Sequence, residues 1–160
     1  MDETCRYTSK LLGYSIDYPA SWVIRSPQRD DVDFHLCDES SCFENNLPSV
    51  AIVAVEGRFD WTKSLRMMEF LVRKDKDADP NAEFGEPDVI MQDDLAGAVV
   101  SYAERTINGR RRMGIDKVFV HRGKAMIVSA SMDPDDEIEH LKTANAITRS
   151  MKWIGSQLTQ

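Results

Sequence analysis

Few residues in this 160-residue chain are equipped for chemistry, and the densest group lies in Phe34-His35-Leu36-Cys37-Asp38-Glu39-Ser40-Ser41-Cys42-Phe43. His35 and Cys37 are two apart in an alternating stretch, so on a strand both point away from Phe34 and Leu36. A loop returning Cys42 to them fits three chemistries. Cys37 and Cys42 form a small-loop disulfide if the chain meets an oxidising compartment. They remain ordinary buried thiols if it does not. Or His35, Cys37 and Cys42 hold a metal, which for zinc requires a fourth ligand that no second Cys-x2-Cys supplies. The third cysteine, Cys5, leaves an odd count and at least one unpaired thiol.

Acidic side chains crowd the same stretch. Asp30, Asp31, Asp33, Asp38, Glu39 and Glu44 run without an intervening Lys or Arg, and Asp133, Asp135, Asp136, Glu137 and Glu139 form a second group. The functional reading is a docking patch for a basic protein partner, centred on Asp30, Asp31, Asp33, Asp38 and Glu39, or a loose divalent-cation site. The plainer reading is a solvated loop plus capping charge at a helix start. No Asp-x-Asp-x-Asp-Gly calcium loop is present.

Catalytic signatures are missing: no Gly-x-Ser-x-Gly elbow, phosphate-binding Gly-rich loop, dinucleotide glycine pattern or His-Glu-x-x-His pair occurs. The three histidines, His35, His121 and His140, read as surface or partly packed imidazoles. Arg105, Arg110, Arg111, Arg112, Lys117, Arg122 and Lys124 form a basic run, but no aromatic pattern interleaves them as a single-stranded RNA platform requires. They read as a solvated hairpin. Trp22, Trp61 and Trp153 read as core-edge residues. Neither a catalytic residue nor a cofactor is expected.

Composition narrows the class. The chain is 42% hydrophobic and 29% charged, with 20 basic against 27 acidic residues and a net charge of −7. One domain over residues 1–160 is the expectation. The net charge disfavours nucleic acid, and no apolar run approaches the roughly 20 residues of a membrane-spanning helix. A monomer is the simplest expectation. Met1-Asp2-Glu3-Thr4-Cys5 carries neither a basic start nor an apolar stretch, so it reads as a cytosolic chain or one whose export signal has been removed.

Periodicity gives the elements that must position these residues. Tyr14, Ile16 and Tyr18 alternate with polar residues up to Pro19, with Trp22-Val23-Ile24 as a continuation, and Val32, Phe34 and Leu36 alternate in a second strand. Val50–Val55 is apolar without a break, which predicts an inner strand covered on both faces. A helix is expected from an Asp60 N-cap to about Val72, with Leu65, Met68, Leu71 and Val72 as its apolar stripe. A charged connector comes next over 73–87, then strands over 88–92, 95–107, 110–121 and 124–131, with Asn108-Gly109 and Arg122-Gly123 as turns. A second helix is expected to start at Asp133-Pro134 and run to a stop at Gly155, carrying Ile138, Leu141, Ala144, Ile147, Met151 and Ile154 inward. The order βββ-α-ββββ-α predicts an α+β fold with antiparallel connections.

The opening Tyr7-x5-Gly13-Tyr14-Ser15-Ile16-Asp17-Tyr18-Pro19-x2-Trp22 resembles the start of PsbP-like domains, a superfamily that includes the Ran-binding Mog-type proteins. The order of the later elements is also similar, down to the terminal Ile147-Thr148-Arg149-Ser150-Met151, where the family often shows Ser-Phe. The resemblance implies an α/β/α sandwich around a central antiparallel sheet. It also implies a non-enzymatic binding or accessory role through a protein surface, in a periplasmic or cell-envelope protein of bacterial type. It favours the Cys37–Cys42 bridge, and it places Cys5 about where lipoproteins of this kind carry a cysteine before the domain, here without an upstream lipobox. The alternatives are a small metal-binding protein or metal-dependent enzyme using His35, Cys37 and Cys42, and a cytoplasmic trafficking or secretion adaptor.

Overall fold

The computed structural model describes residues 3–26, 29–40, 47–55, 64–107 and 109–155. The elements among them are β1 (Thr4–Ser9), β2 (Tyr14–Pro19), β3 (Trp22–Ile24), β4 (Val32–Asp38), β5 (Ser49–Val55), α1 (Ser64–Ala78), β6 (Glu83–Phe84), β7 (Asp88–Gln92), β8 (Leu95–Ile107), β9 (Arg110–His121), β10 (Lys124–Met132), α2 (Ile138–Arg149) and β11 (Lys152–Trp153). An eight-stranded sheet runs β3-β4-β5-β10-β9-β8-β6, with β7 also on β8, and β1-β2-β11 form a small second sheet. Every pairing is antiparallel.

Strand alternation splits the main sheet into two faces. Met126, Val128, Ala130 and Met132 of β10, with Val50 and Ile52 of β5 and Phe119 of β9, pack under Leu141, Ala144 and Ile147 of α2. The opposite residues Ala125, Val118 and Val120, with Ala98 and Val100 of β8, pack under Met67, Met68 and Val72 of α1. This is an α+β sandwich with one helix on each side of an antiparallel sheet, the architecture expected from the sequence. Tight turns hold the meander: Asp93 (φ 48°) with Asp94 (φ 64°) and Arg122 (φ 55°) with Gly123 (φ 73°) are consecutive left-handed pairs that match the twist of a two-residue hairpin.

Four details differ from the expectation. Strands β1, β6 and β11 were not read from sequence: β6 and β11 are two residues each, and β1 is an edge strand whose alternation is mostly between exposed and half-buried side chains. Helix α1 runs on to Ala78 instead of ending near Val72. Its polar last turn is tied down by Asp75, which pairs with Arg105 at 2.8 Å. Helix α2 starts at Ile138, because Asp133 closes a turn on itself: its Oδ1 accepts the Asp135 N–H at 2.9 Å and its carbonyl the Asp136 N–H at 3.0 Å. It stops at Arg149, where the Ser150 hydroxyl accepts the Asp17 N–H at 2.8 Å and the chain turns into β11. There Trp153 packs edge-on against Phe119 and donates its Nε1–H to the Gln92 carbonyl at 2.8 Å. The fourth difference concerns β5. One of its faces lies in the core, but Ser49, Ala51 and Val53 on the other line an open cleft. The expected Asp60 cap and Trp61 lie outside the described residues.

Candidate functional site

Helix α1 covers only the part of its face over β8 and β9, and the uncovered part forms a cleft of about 650 Å³. Its floor is built in rungs by the strand register. Cys37, Ser49, Ser131, Gly114 and Tyr102 lie side by side across β4, β5, β10, β9 and β8. The next rung is His35, Ala51, Ser129, Asp116 and Val100, and the third is Val32, Val53, Ile127, Val118 and Ala98. Successive rungs are two residues, roughly 7 Å, apart along the strands. Polarity therefore falls in one direction, from a hydroxyl-bearing rung through a mixed one to a wholly apolar one. Leu71 of α1 lines the cleft and packs, like Ile127, against the apolar cluster under α1.

Charge in the cleft runs against that of the chain. Among the described residues, Arg25, Arg29, Lys74, Arg105 and Arg112 line it, with Asp75 and Asp116 as the acids. Arg105 bridges both carboxylates, at 2.8 Å to Asp75 and 2.7 Å to Asp116, and lies over the rings of Phe84 and Tyr102. Asp116 also accepts the Ser129 hydroxyl at 2.6 Å, so both acids are committed to holding α1 on the sheet. Arg29 makes an exposed pair with Asp31 at 3.0 Å. Arg112 has no such partner: its Nε is buried without a hydrogen bond, and no carboxylate pairs with it among the described residues. Burial, then Arg112 and Arg25, hold the His35 imidazole below its ordinary pKa, so it is neutral at pH 7 and leaves the cleft cationic.

The residues singled out from sequence fall in several places. His35 and Cys37 do share the cleft side of β4. Cys37 is disulfide-bonded and Cys5 is free, while Cys42 lies outside the described residues. A disulfide sulfur is not the thiolate that zinc takes. The acidic patch divides: Asp30 and Asp31 precede β4, whereas Asp38 and Glu39 lie at its far end, roughly 20 Å away for a seven-residue strand. Asp33 accepts the Tyr14 hydroxyl at 2.6 Å, and Asp38 accepts the Ser40 N–H at 2.9 Å. The basic run is corrected most. Arg110, Arg111, Arg122 and Lys124 are exposed at hairpin ends as expected, but Arg105 and Arg112 enter the cleft, and Lys117 is buried on the α2 side. Strand parity carried that signal, since Arg112 has the same parity as Val118 and Val120.

Against solved structures the match spans nearly the whole chain. The cyanobacterial PsbP (CyanoP) of Synechocystis sp. PCC 6803 superposes with a TM-score of 0.67 at 17% identity, over 96% of this chain and 94% of that one. The fold is PsbP-like. LpqN of Mycobacterium tuberculosis, described as involved in cell envelope biogenesis, gives 0.61 at 16% identity over 94% and 90%. The Saccharomyces cerevisiae Ran-binding protein Mog1p gives 0.55 at 9% over 99% of both chains, which joins the PsbP-like and Mog1-type forms in one architecture. No protein-family model and no curated protein matches the sequence. At these identities the PsbP-like likeness describes architecture, and the cleft must be read from this chain's own residues. No helix among the described residues is long and apolar enough to cross a membrane.

Proposed function

We propose that the protein is a non-enzymatic binding module that holds a small ligand in the cleft beside α1, as an accessory protein of a bacterial cell envelope. The observation that carries this reading is the cleft itself. Among the described residues, α1 lies mainly over β8 and β9, and the cleft beside it has a volume typical of small-molecule sites with polar groups at one end. The polar groups support holding over turnover. Ser49 and Ser131 share a hydrogen bond at 3.1 Å, Ser129 is spent on Asp116, and Arg105 on two acids. The disulfide at Cys37, which we assign to Cys42, favours an oxidising compartment, and the likeness to LpqN favours the envelope.

Native mass spectrometry of the protein purified from its own source without reductant tests the reading. A non-covalent small-molecule adduct, lost on denaturation, is expected on a chain two hydrogens lighter than its reduced form, with the bridge in the peptides of Cys37 and Cys42. A bare chain with three free thiols overturns both the ligand and the compartment.

A further inference from the structure

We infer that the ligand of this cleft is an amphiphilic oxyanion, a molecule with one carboxylate or phosphate head and an apolar body, its head set at Arg112 and its body along Val53 and Ile127 toward Leu71. This rests on the cleft being a binding site and adds which chemistry it selects.

Three independent features converge on it. First, the floor changes from Ser49 and Ser131 to Val53 and Ile127 within two rungs, about 14 Å, and the change occurs in register on neighbouring strands. A uniformly polar ligand would leave the apolar rung unmatched, and a hydrocarbon would leave the Arg112 Nε–H unmatched. Second, the Arg112 Nε–H is buried with no acceptor. An orphaned buried donor is costly, and an oxyanion satisfies a guanidinium with short charge-assisted hydrogen bonds. Third, among the described residues Lys74, Arg105 and Arg112 line the cleft against Asp75 and Asp116, in a chain of net charge −7, and both carboxylates are held by Arg105. Arg29 is set against Asp31, so that pair adds no net charge. The small side chains Gly114, Ser131, Ser49 and Ala51 lie on the rungs between Arg112 and His35, leaving room above the floor where the two basic walls approach. Arg110 and Arg105 both act on the Arg112 guanidinium as like charges. A neutral head would satisfy the Nε–H but leave that repulsion in place; an anionic one relieves both.

Calorimetric titration of the purified protein at pH 7 with octanoate, octyl phosphate, 1-octanol and inorganic phosphate tests the inference. One-to-one binding of octanoate or octyl phosphate is expected, at least about tenfold tighter than 1-octanol and than inorganic phosphate, and the tighter of the two identifies the head group. Arg112→Gln should weaken the anions about tenfold and leave 1-octanol unchanged, with Arg112→Lys recovering part of the loss. Arg25→Gln is the second variant, should Arg112→Gln not fold. Octyl phosphate should also raise the pH at which the His35 ring titrates by NMR. If 1-octanol binds as tightly as the anions, or neither arginine variant discriminates, the oxyanion assignment is wrong while the cleft remains a binding site. If inorganic phosphate matches octyl phosphate, the apolar body is wrong. If none of the four binds, the cleft reading falls with it.

Discussion

Gly114 sits in the middle of β9, where a glycine weakens a strand unless something approaches too closely for a side chain. Here a Cβ would overlap the Ala130 carbonyl oxygen on β10 and lie 2.6 Å from the Tyr102 hydroxyl and 2.9 Å from its Cζ. The tyrosine can swing only slightly, because it is buried beside Phe84 and Arg105. The carbonyl belongs to a central strand and cannot move without stretching the β9–β10 ladder. Overpacking of this kind costs about 1–3 kcal/mol, and a clash with backbone belongs at the upper end. For a chain of this length about 3 kcal/mol corresponds to a melting-temperature loss of roughly 6–12 °C. Circular dichroism melts of Gly114→Ala measure it. Tyr102→Phe removes a buried hydroxyl that has no hydrogen-bond partner, so alone it should be nearly neutral, and in the double variant it should return part of the loss. The Ala130 contact should keep the rest. A Gly114→Ala protein melting within about 1 °C of the parent, far below that range, would refute the close approach, and full rescue by Tyr102→Phe would mean that the carbonyl yields after all.

Arg105→Met should cost about 3 kcal/mol in urea unfolding, because it leaves the nearly buried Asp116 and the half-buried Asp75 without their shared cation; a loss under about 1 kcal/mol would show that α1 is not anchored by this bridge. Lys117 is buried against the Thr148 hydroxyl at 3.0 Å, and burial followed by Arg149 pushes its pKa from 10.5 down to about 8. A depressed pKa means stability is lost as pH falls from 10.5 through 8, so the full penalty is present at pH 7. Lys117→Met should therefore stabilise by about 2 kcal/mol at pH 7, with the gain gone above pH 10.5. His35 also has a depressed pKa, so its contribution is intact above about 6.5 and fades as pH falls toward the folded-state value. The stability difference between parent and His35→Gln should then shrink on acidification, and a pH-independent difference would place the ring outside the basic field.

Long alternating or periodic segments were legible from sequence, and they fixed the layers. Met126, Val128 and Ala130 alternate with Ile127, Ser129 and Ser131, and that alternation alone separates the two faces of β10. Gly109 and Gly123 marked turns because the left-handed backbone there excludes most side chains. Strands β1, β6 and β11 escaped because pairing partners, rather than local pattern, make them strands. The cleft escaped for a related reason. Val50–Val55 looks identical whether its second face meets a helix or an open site, and only the placement of α1 decides. Acids close in sequence suggest a patch, yet the extended β4 between them carries Asp31 and Asp38 to opposite ends.

The contrast between the two faces of the same strands bears on what was selected. On the α2 side, β5 and β10 present Val50, Ile52, Met126, Val128 and Met132, all buried in the core. On the cleft side the same central strands present Ser49, Ala51, Ser129 and Ser131. Folding alone favours β-branched and large apolar residues on a central strand under a helix, each worth about 1.5–3 kcal/mol when buried. Small and hydroxylated residues there forgo that stabilisation, and the Arg112 Nε adds a cost that no hydrogen bond among the described residues offsets. Where local choices stop agreeing with stability while agreeing with one another, the common cause lies outside the fold. The hydroxyl rung and the orphaned guanidinium depart together at one end of one cleft. Filling that end with Ser131→Val and Ser49→Ala together, so that neither hydroxyl of the bonded pair is left alone, should raise stability and remove ligand binding in the same step, read by a thermal melt and by the octyl phosphate titration.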